Sequence, residues 1–366
     1  MNAEDIYKKG ADWIKAMNSL KSVLIVYHRD SDGVCSSVIL EKMLKKLGKK
    51  SITTIACDPS TPAVTFELMQ KIIKINPNYL IFTDMAVDQD PNQLIILKQK
   101  IGCSTIVIDH HPPSNDLNMI DIAHINPRFA NNSYYFPASY VVYKIGEKIF
   151  DVSDFSWMAM IGVIGDHAVD TCQDFVKAFT RANGNFGETQ KILEQTKFGH
   201  ASEIIMAARA IDSVSGDGIE TSRNILNNSL SIEKFVASKT LEEWYRITQQ
   251  DIDNATDGFE KKSELHSGGK IAIYKIQTPY KIESIVASKI SEKYPRMSIM
   301  VCRDAGDKIA CSLRNQKTAD LSKIVKMSLI GLRRSVGGGH PQAAGVLVDK
   351  KEWDAFKANI VRYSRP

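Results

Sequence analysis

The chain has 366 residues, enough for two domains, because single hydrophobic cores seldom grow far beyond ~250 residues. Its composition, 43% hydrophobic and 24% charged, is that of a globular protein and excludes a largely disordered, collagen-like or disulfide-scaffold chain. No stretch approaches the roughly 18 apolar residues that would span a bilayer. Residues 1–20 lack a signal peptide's apolar core and cleavage site, so we expect a cytoplasmic protein with no membrane partner.

The net charge of +5 is divided unequally along the chain. From Leu265 onward there are 19 Lys and Arg against 8 Asp and Glu, a net charge of +11, whereas residues 1–264 hold 28 against 34, a net charge of −6. An acidic part joined to a basic part suits an enzyme whose carboxylates hold metal cations while a second lobe holds a polyanion. The alternative is an imbalance that serves only solubility. The six cysteines form no C-x-x-C pair and are predicted to be buried free thiols.

The first 110 residues alternate between short apolar runs and helical patterns. Apolar runs of strand length lie at residues 22–28, 52–58, 79–84 and 105–109, and helical spacing of apolar residues lies at 33–47, 64–75 and 93–101. Such alternation predicts a parallel sheet covered by helices on both faces. Further helices are predicted at residues 137–150 and 155–163.

The rest of the chain changes character twice. From about residue 187 to 262 the pattern is helical and polar, and a mixed segment begins near residue 268. In that segment we predict strands at residues 270–276, 297–303 and 307–314, helices at 282–293 and 319–328, a Gly-rich turn and a final strand–helix pair. The fold class is therefore α/β, with an N-terminal parallel-sheet domain at residues 1–186, a helical connector at 187–264 and a smaller mixed α/β domain at 265–366.

Polar residues follow four of the apolar runs in the N-terminal part. In open α/β sheets ligands bind at the carboxyl ends of the strands, so these residues are expected to meet in one crevice. So many carboxylates need cations, and the mixture of oxygen and imidazole donors suits Mn²⁺ or a similar divalent ion. The four segments are His28-Arg29-Asp30-Ser31-Asp32-Gly33, Thr83-Asp84, Asp109-His110-His111 and Gly165-Asp166-His167.

Each of these residues has a structural explanation when taken singly. An Asp after a strand often caps the next helix, and a lone His is usually a solvated or core residue. The co-occurrence of all four segments, each at the end of an apolar run, favours chemistry. We expect His167 and Asp170 to be surface or supporting residues, and His124, His200 and His266 to be structural.

These motifs resemble those of the DHH phosphoesterase family, which is named for the triplet that stands here as Asp109-His110-His111. His28-x-Asp30-x-Asp32-Gly33 is similar to the first motif of that family, Asp84 to the second and Asp166 to the fourth. The segment from Gly337 to Gly345, GGGHPQAAG, resembles the signature of the companion DHHA1 substrate-binding domain, as does Cys311-Ser312-Leu313-Arg314 upstream of it. The helical middle part matches neither motif set.

The resemblance implies a role for each matched residue. One metal ion would be held by His28, Asp30 and Asp84, and a second by Asp32, Asp84, His110 and Asp166, so that Asp84 bridges the pair. Asp109 would orient the neighbouring histidines, the usual function of a carboxylate beside a ligating imidazole. His111 would contact the scissile phosphate. The implied cofactors are two divalent ions, Mn²⁺ in the first place, with Mg²⁺ and Co²⁺ as alternatives.

The glycine run is the predicted substrate-binding element. Consecutive glycines let backbone N–H groups approach a phosphate or base without an intervening Cβ, and Arg314 and His340 add charge-assisted hydrogen bonds. The alternative is a flexible turn. The candidate substrate-binding residues are Arg314, Gly337, Gly338, Gly339 and His340, and Asn126-Pro127-Arg128 is a further candidate for the cleft.

The resemblance leaves several functions open. The first is an exonuclease that degrades single-stranded DNA, RNA or short oligonucleotides to 5′-mononucleotides. The second is a phosphodiesterase for cyclic or linear dinucleotides, and a homodimer is left open for either. The GGGH signature disfavours the pyrophosphatase relatives, whose second domain differs. The alternative from another class is an inactive scaffold, which would be expected to lack metal ligands, whereas every matched ligand position is intact here.

Overall fold

The computed structural model describes residues 2–57, 63–316 and 319–364. Contacts within the chain divide it into two units, one of Met1–Arg209 with Asp217–Glu242 and the other of Ala210–Gly216 with Glu243–Pro366. The domain boundaries expected from the sequence stay a prediction. No helix in the described ranges is both long and apolar enough to cross a bilayer.

The first unit is built on a parallel sheet. Its strands are β1 (Val23–His28), β2 (Ile52–Cys57), β3 (Tyr79–Thr83), β4 (Ser104–Ile108) and β5 (Ala123–Ile125), in the spatial order β2-β1-β3-β4-β5. All pairs are parallel, as the alternating pattern predicts. The three-residue strand β5 was not predicted, because three residues are too few to show a period. Asp58, the last residue of the second predicted strand, lies outside the described residues.

Helices connect these strands and continue the unit beyond the sheet. Apolar side chains of β1, β3 and β4, among them Val26, Phe82 and Val107, are fully buried in one hydrophobic cluster. The α-helices between residues 3 and 165 are α1 (Ala3–Ala16), α2 (Ser31–Lys46), α3 (Phe66–Ile75), α4 (Pro91–Ile101), α5 (Ala138–Glu147) and α6 (Ser156–Gly165). The predicted helices at residues 33–47, 64–75, 93–101, 137–150 and 155–163 correspond to α2 through α6 within a few residues at each end.

The middle of the chain is helical, as predicted. No strand occurs among residues 187–262, all of which the structure describes. The elements from residue 173 to 262 are α7 (Gln173–Asn183), α8 (Gln190–Glu194), α9 (Lys197–Ser215), α10 (Gly218–Asn228), α11 (Ile232–Val236), α12 (Lys239–Asp257) and α13 (Phe259–Lys262).

The second unit contains a mixed sheet of six strands. These are β6 (Glu264–His266), β7 (Ile271–Ile276), β8 (Ser298–Ala305), β9 (Lys308–Arg314), β10 (Val336–His340) and β11 (Ala343–Asp349), in the order β10-β11-β9-β8-β7-β6. Among the strand pairs of this sheet in the described part of the chain, only that of β7 and β8 is parallel. Both faces are covered, since Ile271 and Ile273 of β7 lie in one cluster with helices α15 (Leu321–Ser328) and α16 (Trp353–Tyr363), whereas Ala272 and Tyr274 lie in another with α14 (Glu283–Lys293).

One prediction for this unit is wrong. The glycines predicted to form a turn lie in β10, which pairs with β11 in antiparallel register from Val336 to His340. Glycine weakens a strand, so the sequence pattern favoured a turn. Here an added Cβ at Gly337 would lie 2.7 Å from the carbonyl oxygen of Gly345, and Gly339 has a φ of +147°. The close partner strand and this backbone conformation both require glycine.

Candidate metal centre

The ends of three neighbouring strands place the first group of polar side chains. Tyr27, Thr83 and Ile108 are aligned across the sheet, so the residues that follow them, His28, Asp84 and Asp109, leave the same edge. His28 Nδ1 lies 2.7 Å from Asp30 Oδ2 and 3.1 Å from Asp84 Oδ2. These three residues offer ligand atoms close enough together to hold one metal ion.

The backbone around this group is fixed by local constraints. Asp30 caps helix α2, and its Oδ1 accepts a hydrogen bond from the Gly33 N–H at 3.0 Å. Gly33 is required because a Cβ there would lie 2.2 Å from the carbonyl oxygen of His28. Asp84 adopts a left-handed conformation with φ +59°, while its N–H donates to the carbonyl oxygen of Ile108 at 3.0 Å. A positive φ is uncommon for a residue other than glycine, and Asp and Asn adopt it more readily than most.

A second group adjoins the first through the same aspartate. The other oxygen of Asp84, Oδ1, lies 3.2 Å from His110 Nε2, which in turn lies 3.4 Å from Asp166 Oδ2. Asp32, His110 and Asp166 form a second set of potential metal ligands. Asp84 therefore contacts the histidine of each group with a different carboxylate oxygen, which is the geometry that a bridging carboxylate needs.

Asp32 lies in the first turn of helix α2, and its buried carboxylate contacts the N-terminus of helix α5. Its Oδ2 accepts the Ala138 N–H at 2.6 Å and its Oδ1 accepts the Ser139 N–H at 2.9 Å. These are unsatisfied donors of the first helical turn, and they stabilise a carboxylate where the helix dipole is positive. The sequence predicted Asp32 as a ligand but gave no indication of this contact, because the amides belong to a helix more than 100 residues away.

The Asp-His-His triplet supplies a carboxylate–imidazole pair. Asp109 is fully buried, and its Oδ1 lies 2.8 Å from His111 Nδ1. Asp109 Oδ2 and His110 Nδ1 are buried and have no hydrogen-bond partner within the described ranges. This contact is the one through which the resemblance implies that Asp109 orients His111, and that role stays a prediction. The four residues Asp84, Asp109, His110 and His111 also cluster closely enough to hold an ion.

Asn126 and Arg128, which the sequence offered as further cleft residues, hold the backbone of this triplet. Asn126 Nδ2 donates to the carbonyl oxygen of His111 at 2.9 Å, and Arg128 Nε donates to that of His110 at 2.7 Å. They therefore support the site by holding the backbone of the triplet.

Tyr135 is a residue of the site that the sequence did not reveal. Its hydroxyl donates to Asp166 Oδ2 at 3.2 Å, and its ring lies 5.0 Å from the His110 ring, centroid to centroid. Tyr135 stands in a run of three aromatic residues, Tyr134 to Phe136, which by pattern alone indicates hydrophobic packing. No polar periodicity distinguishes it from its neighbours.

Burial and like charge perturb the titration of these groups. Burial, followed by Asp84 and Asp166, raises the pKa of Asp32 well above its usual value. Burial and the carboxylates of Asp30 and Asp84 raise the pKa of Asp166 to about 7, against the opposing effect of His110. Burial alone would lower the pKa of His110, but Asp84, Asp166 and Asp32 together raise it to about 10.

The donor set fits divalent cations. Four aspartates and two imidazoles meet in a mostly buried space, and buried carboxylates of like charge need a compensating cation. Oxygen and imidazole donors are the set that Mn²⁺ and similar ions accept. The residues that would hold the ions are His28, Asp30, Asp32, Asp84, His110 and Asp166.

We expect the stability of the metal-free protein to fall between pH 5 and 8. Groups whose pKa is raised on folding, here Asp166 to about 7 and His110 to about 10, stabilise the fold while protonated and lose that contribution as the pH rises. Melting temperatures of chelator-treated protein across this range test this. Added Mn²⁺ should reduce the dependence, since bound cations favour the ionised carboxylates. A melting temperature that rises with pH without metal would contradict it.

Four other candidate residues lie apart from the two groups. His124 is buried against Phe129 with ring centroids 4.8 Å apart, and His200 Nε2 lies 2.6 Å from Glu242 Oε1. His167 is exposed and 3.2 Å from Glu194. His266 lies 3.5 Å from Glu264. None of them belongs to the ligand groups found among the described residues, and the structural or supporting roles expected for them stay a prediction.

The predicted substrate-binding residues lie in the second unit. Arg314 ends β9, and its Nε donates to Ser288 Oγ while its Nη1 donates to Ser312 Oγ, both at 3.0 Å. These hydrogen bonds hold the guanidinium in one orientation. The residues from Gly337 to His340 form the edge strand β10, whose outer side pairs with no other strand among the described residues. A glycine edge strand leaves backbone N–H groups accessible to a ligand.

Comparisons with known proteins agree with this architecture. Residues 22–163 match the model of the DHH family, N-terminal domain, and residues 268–363 match that of the DHHA1 domain. An uncharacterized protein of Methanocaldococcus jannaschii is 31% identical over 156 residues, which are 42% of this chain and 34% of that protein. The chain thus spans about a third of the curated relative that it matches.

Two solved structures share the fold. The structure of RecJ from Thermus thermophilus in complex with Mn²⁺ gives a TM-score of 0.73 at 16% identity, covering 98% of this chain and 54% of that one. The pGpG-specific phosphodiesterase PggH of Vibrio cholerae gives 0.53 at 14% identity, covering 94% and 99%. The chain belongs to the DHH phosphoesterase family, and it carries a DHHA1 domain after the helical middle part. The resemblance inferred from the sequence motifs is confirmed.

Proposed function

We propose that the protein is a metal-dependent phosphodiesterase that hydrolyses single-stranded nucleic acid or short oligonucleotides to 5′-mononucleotides. The observation that carries the proposal is the pair of ligand groups joined by Asp84, whose two oxygens lie 3.1 Å from His28 and 3.2 Å from His110. Paired sites of this kind occur in phosphatases and nucleases, where two cations act on one phosphoryl group.

The proposed roles of the ligand residues are those that the family resemblance implies, and the two groups of ligand atoms support them. His28, Asp30 and Asp84 hold one cation, and Asp32, Asp84, His110 and Asp166 hold the other. Cations bound there supply Lewis acidity, lowering the pKa of a bound water and neutralising charge on the phosphate. Mn²⁺ is the proposed ion because of the mixed oxygen and imidazole donor set; RecJ structures hold Mn²⁺ in one case and Mg²⁺ in another, which supports a divalent cation.

His111 is the proposed donor to the phosphate. Its Nδ1 is paired with Asp109, so Nε2 is the ring nitrogen left for a substrate oxygen. The Asp109 carboxylate, against the opposing effect of burial, raises the pKa of His111, which favours the protonated ring with a donor at each nitrogen. The side chain is 38% exposed, unlike the buried His110, and is thus open to a ligand.

The substrate is proposed to be an oligonucleotide because of the second unit. The glycine strand β10 ends in His340, and Arg314 lies two strands away in the same sheet, in a part of the chain with net charge +11; this combination suits a phosphate backbone and a terminal base. Arg314 is oriented by Ser288 and Ser312, so its charge is positioned before substrate arrives. Gly337, Gly338, Gly339 and His340 would add backbone and imidazole donors.

A second candidate is the hydrolysis of linear or cyclic dinucleotides. It is supported by the fold shared with a pGpG-specific phosphodiesterase over 99% of that protein. The two candidates use the same metal site and differ in the length of substrate that the second unit accepts. An inactive scaffold is disfavoured because all six proposed ligand positions are occupied by ligand-type residues that lie in two compact groups.

The test is a product-ladder assay with Mn²⁺. DNA and RNA from dinucleotides to long single strands, labelled at either end, should yield 5′-mononucleotides, while inorganic pyrophosphate should be hydrolysed poorly. Turnover confined to dinucleotides would favour the second candidate. Pyrophosphate turnover that exceeds turnover of dinucleotides would contradict the proposed function. An Asp84→Asn variant, purified in parallel, shows how much activity comes from contaminating nucleases.

A further inference from the structure

Tyr135 lies between residues of the candidate metal centre and residues that support it. Its hydroxyl donates to Asp166 Oδ2 at 3.2 Å, its ring lies against His110, and the Arg128 guanidinium lies 5.9 Å from its ring centroid. Arg128 in turn donates to the backbone of His110. The phenol therefore connects the Asp-His-His segment with the carboxylate that follows helix α6.

The carboxylates of the centre are held in different ways. Asp30 accepts the Gly33 N–H in its own helix cap, and Asp32 accepts two amides of helix α5. Asp166 follows the last residue of α6, and its backbone N–H donates to the carbonyl oxygen of Gly162. That bond fixes the backbone but does not restrain the side-chain torsions. Asp166 Oδ2 is contacted by His110 Nε2 at 3.4 Å and by the hydroxyl of Tyr135, which donates to it at 3.2 Å and can be removed without changing a backbone contact.

We propose that Tyr135 is a positioning residue that fixes the Asp166 carboxylate and thereby sets the divalent-cation affinity of the Asp32–His110–Asp166 group. Tyr135 makes no described hydrogen bond or ring contact with His28, Asp30 or Asp84, so the affinity of that other group, which is reached only through the shared Asp84, is expected to change much less. The inference rests on the proposed function only in requiring that these residues bind divalent cations. Partners that orient a metal ligand typically contribute about 10–100-fold to metal affinity.

The experiment is a Mn²⁺ titration of the metal-free protein, with free Mn²⁺ measured by electron paramagnetic resonance. Tyr135→Phe keeps the ring against His110 and removes the hydroxyl. We expect one of two classes of Mn²⁺ site to weaken by about 10–100-fold and the other to weaken much less. The matched control is Tyr134→Phe, the neighbouring tyrosine whose ring packs on Phe136, and it should bind as wild type. Thermal melting verifies that both variants are folded.

A kinetic readout separates positioning from general damage. The Mn²⁺ concentration for half-maximal activity should rise in Tyr135→Phe, while kcat at saturating Mn²⁺ should approach the wild-type value. Unchanged Mn²⁺ affinity in Tyr135→Phe, or an equal loss in every class of site, would overturn the proposal. Failure of the proposed function looks different, because wild-type protein would then bind Mn²⁺ without hydrolysing any phosphodiester, and the binding comparison would still decide the role of Tyr135.

Discussion

Replacing Asp84 by asparagine is expected to lower kcat/KM for oligonucleotides by more than about 100-fold. Residues that merely orient a metal ligand cost about 10–100-fold, and Asp84 contacts the histidine of both ligand groups. Asparagine is the more specific substitution, because it tolerates the left-handed backbone conformation at φ +59°. Alanine at this position would add about 1–2 kcal/mol of backbone strain to the loss of the carboxylate. The measurement is kcat/KM with bound metal determined by elemental analysis.

The control for this variant lies in the same loop. Asp90 precedes helix α4 and its side chain makes no capping hydrogen bond, so Asp90→Asn removes the same charge from the same segment outside the two ligand groups. It should retain wild-type activity and metal content. An Asp84→Asn variant with near-wild-type rate and full metal content would show that the centre does not depend on a shared carboxylate.

Removing the divalent cations is expected to abolish hydrolysis, with residual turnover below about one thousandth of that of the loaded protein. The clustered groups of the described centre are carboxylates and imidazoles, with no serine or cysteine among them, so the expected nucleophile is a water whose activation depends on the bound ions. Protein treated with a chelator and exchanged into metal-free buffer should be inactive, and Mn²⁺ should restore its rate. Chelator presaturated with Mn²⁺ serves as the control. A metal-free sample, verified by elemental analysis, that keeps a tenth of its activity would exclude the metal-dependent mechanism.

The site residues carried a strong pattern in the sequence because each follows a buried strand or helix. A strand of five or six apolar residues that ends in Asp or His places that residue at the carboxyl edge of a parallel sheet, whatever the details of packing. His28, Asp84 and Asp109 are examples, and the register of β1, β3 and β4 places them at one edge. Periodicity thus predicted both the class of fold and the group of residues that meet.

Supporting contacts could not be predicted in the same way. Tyr135 reaches Asp166 across 31 positions, and the amides that hold Asp32 come from 106 and 107 residues further along the chain. Such contacts depend on tertiary packing and leave no local period. The glycine strand β10 was misassigned for a related reason, since its conformation is imposed by the neighbouring strand β11, against the low intrinsic strand preference of glycine.

The approach of helix α6 to helices α2 and α5 has a consequence for how this protein can change over evolutionary time. A methyl group on Gly162 would lie 2.1 Å from Ser139 Oγ and 2.7 Å from Asp32 Oδ1, and one on Gly165 would lie 2.8 Å from the Cβ of Ser31. Neither glycine carries a functional group, and both lie in an apolar helix, where alanine is ordinarily favoured over glycine. Yet an alanine at Gly162 would clash with the Asp32 carboxylate of the centre. Substitution at such positions is therefore constrained only by the space available to a side chain. A single change there could disrupt the centre while every charged residue of the centre is still present in the sequence.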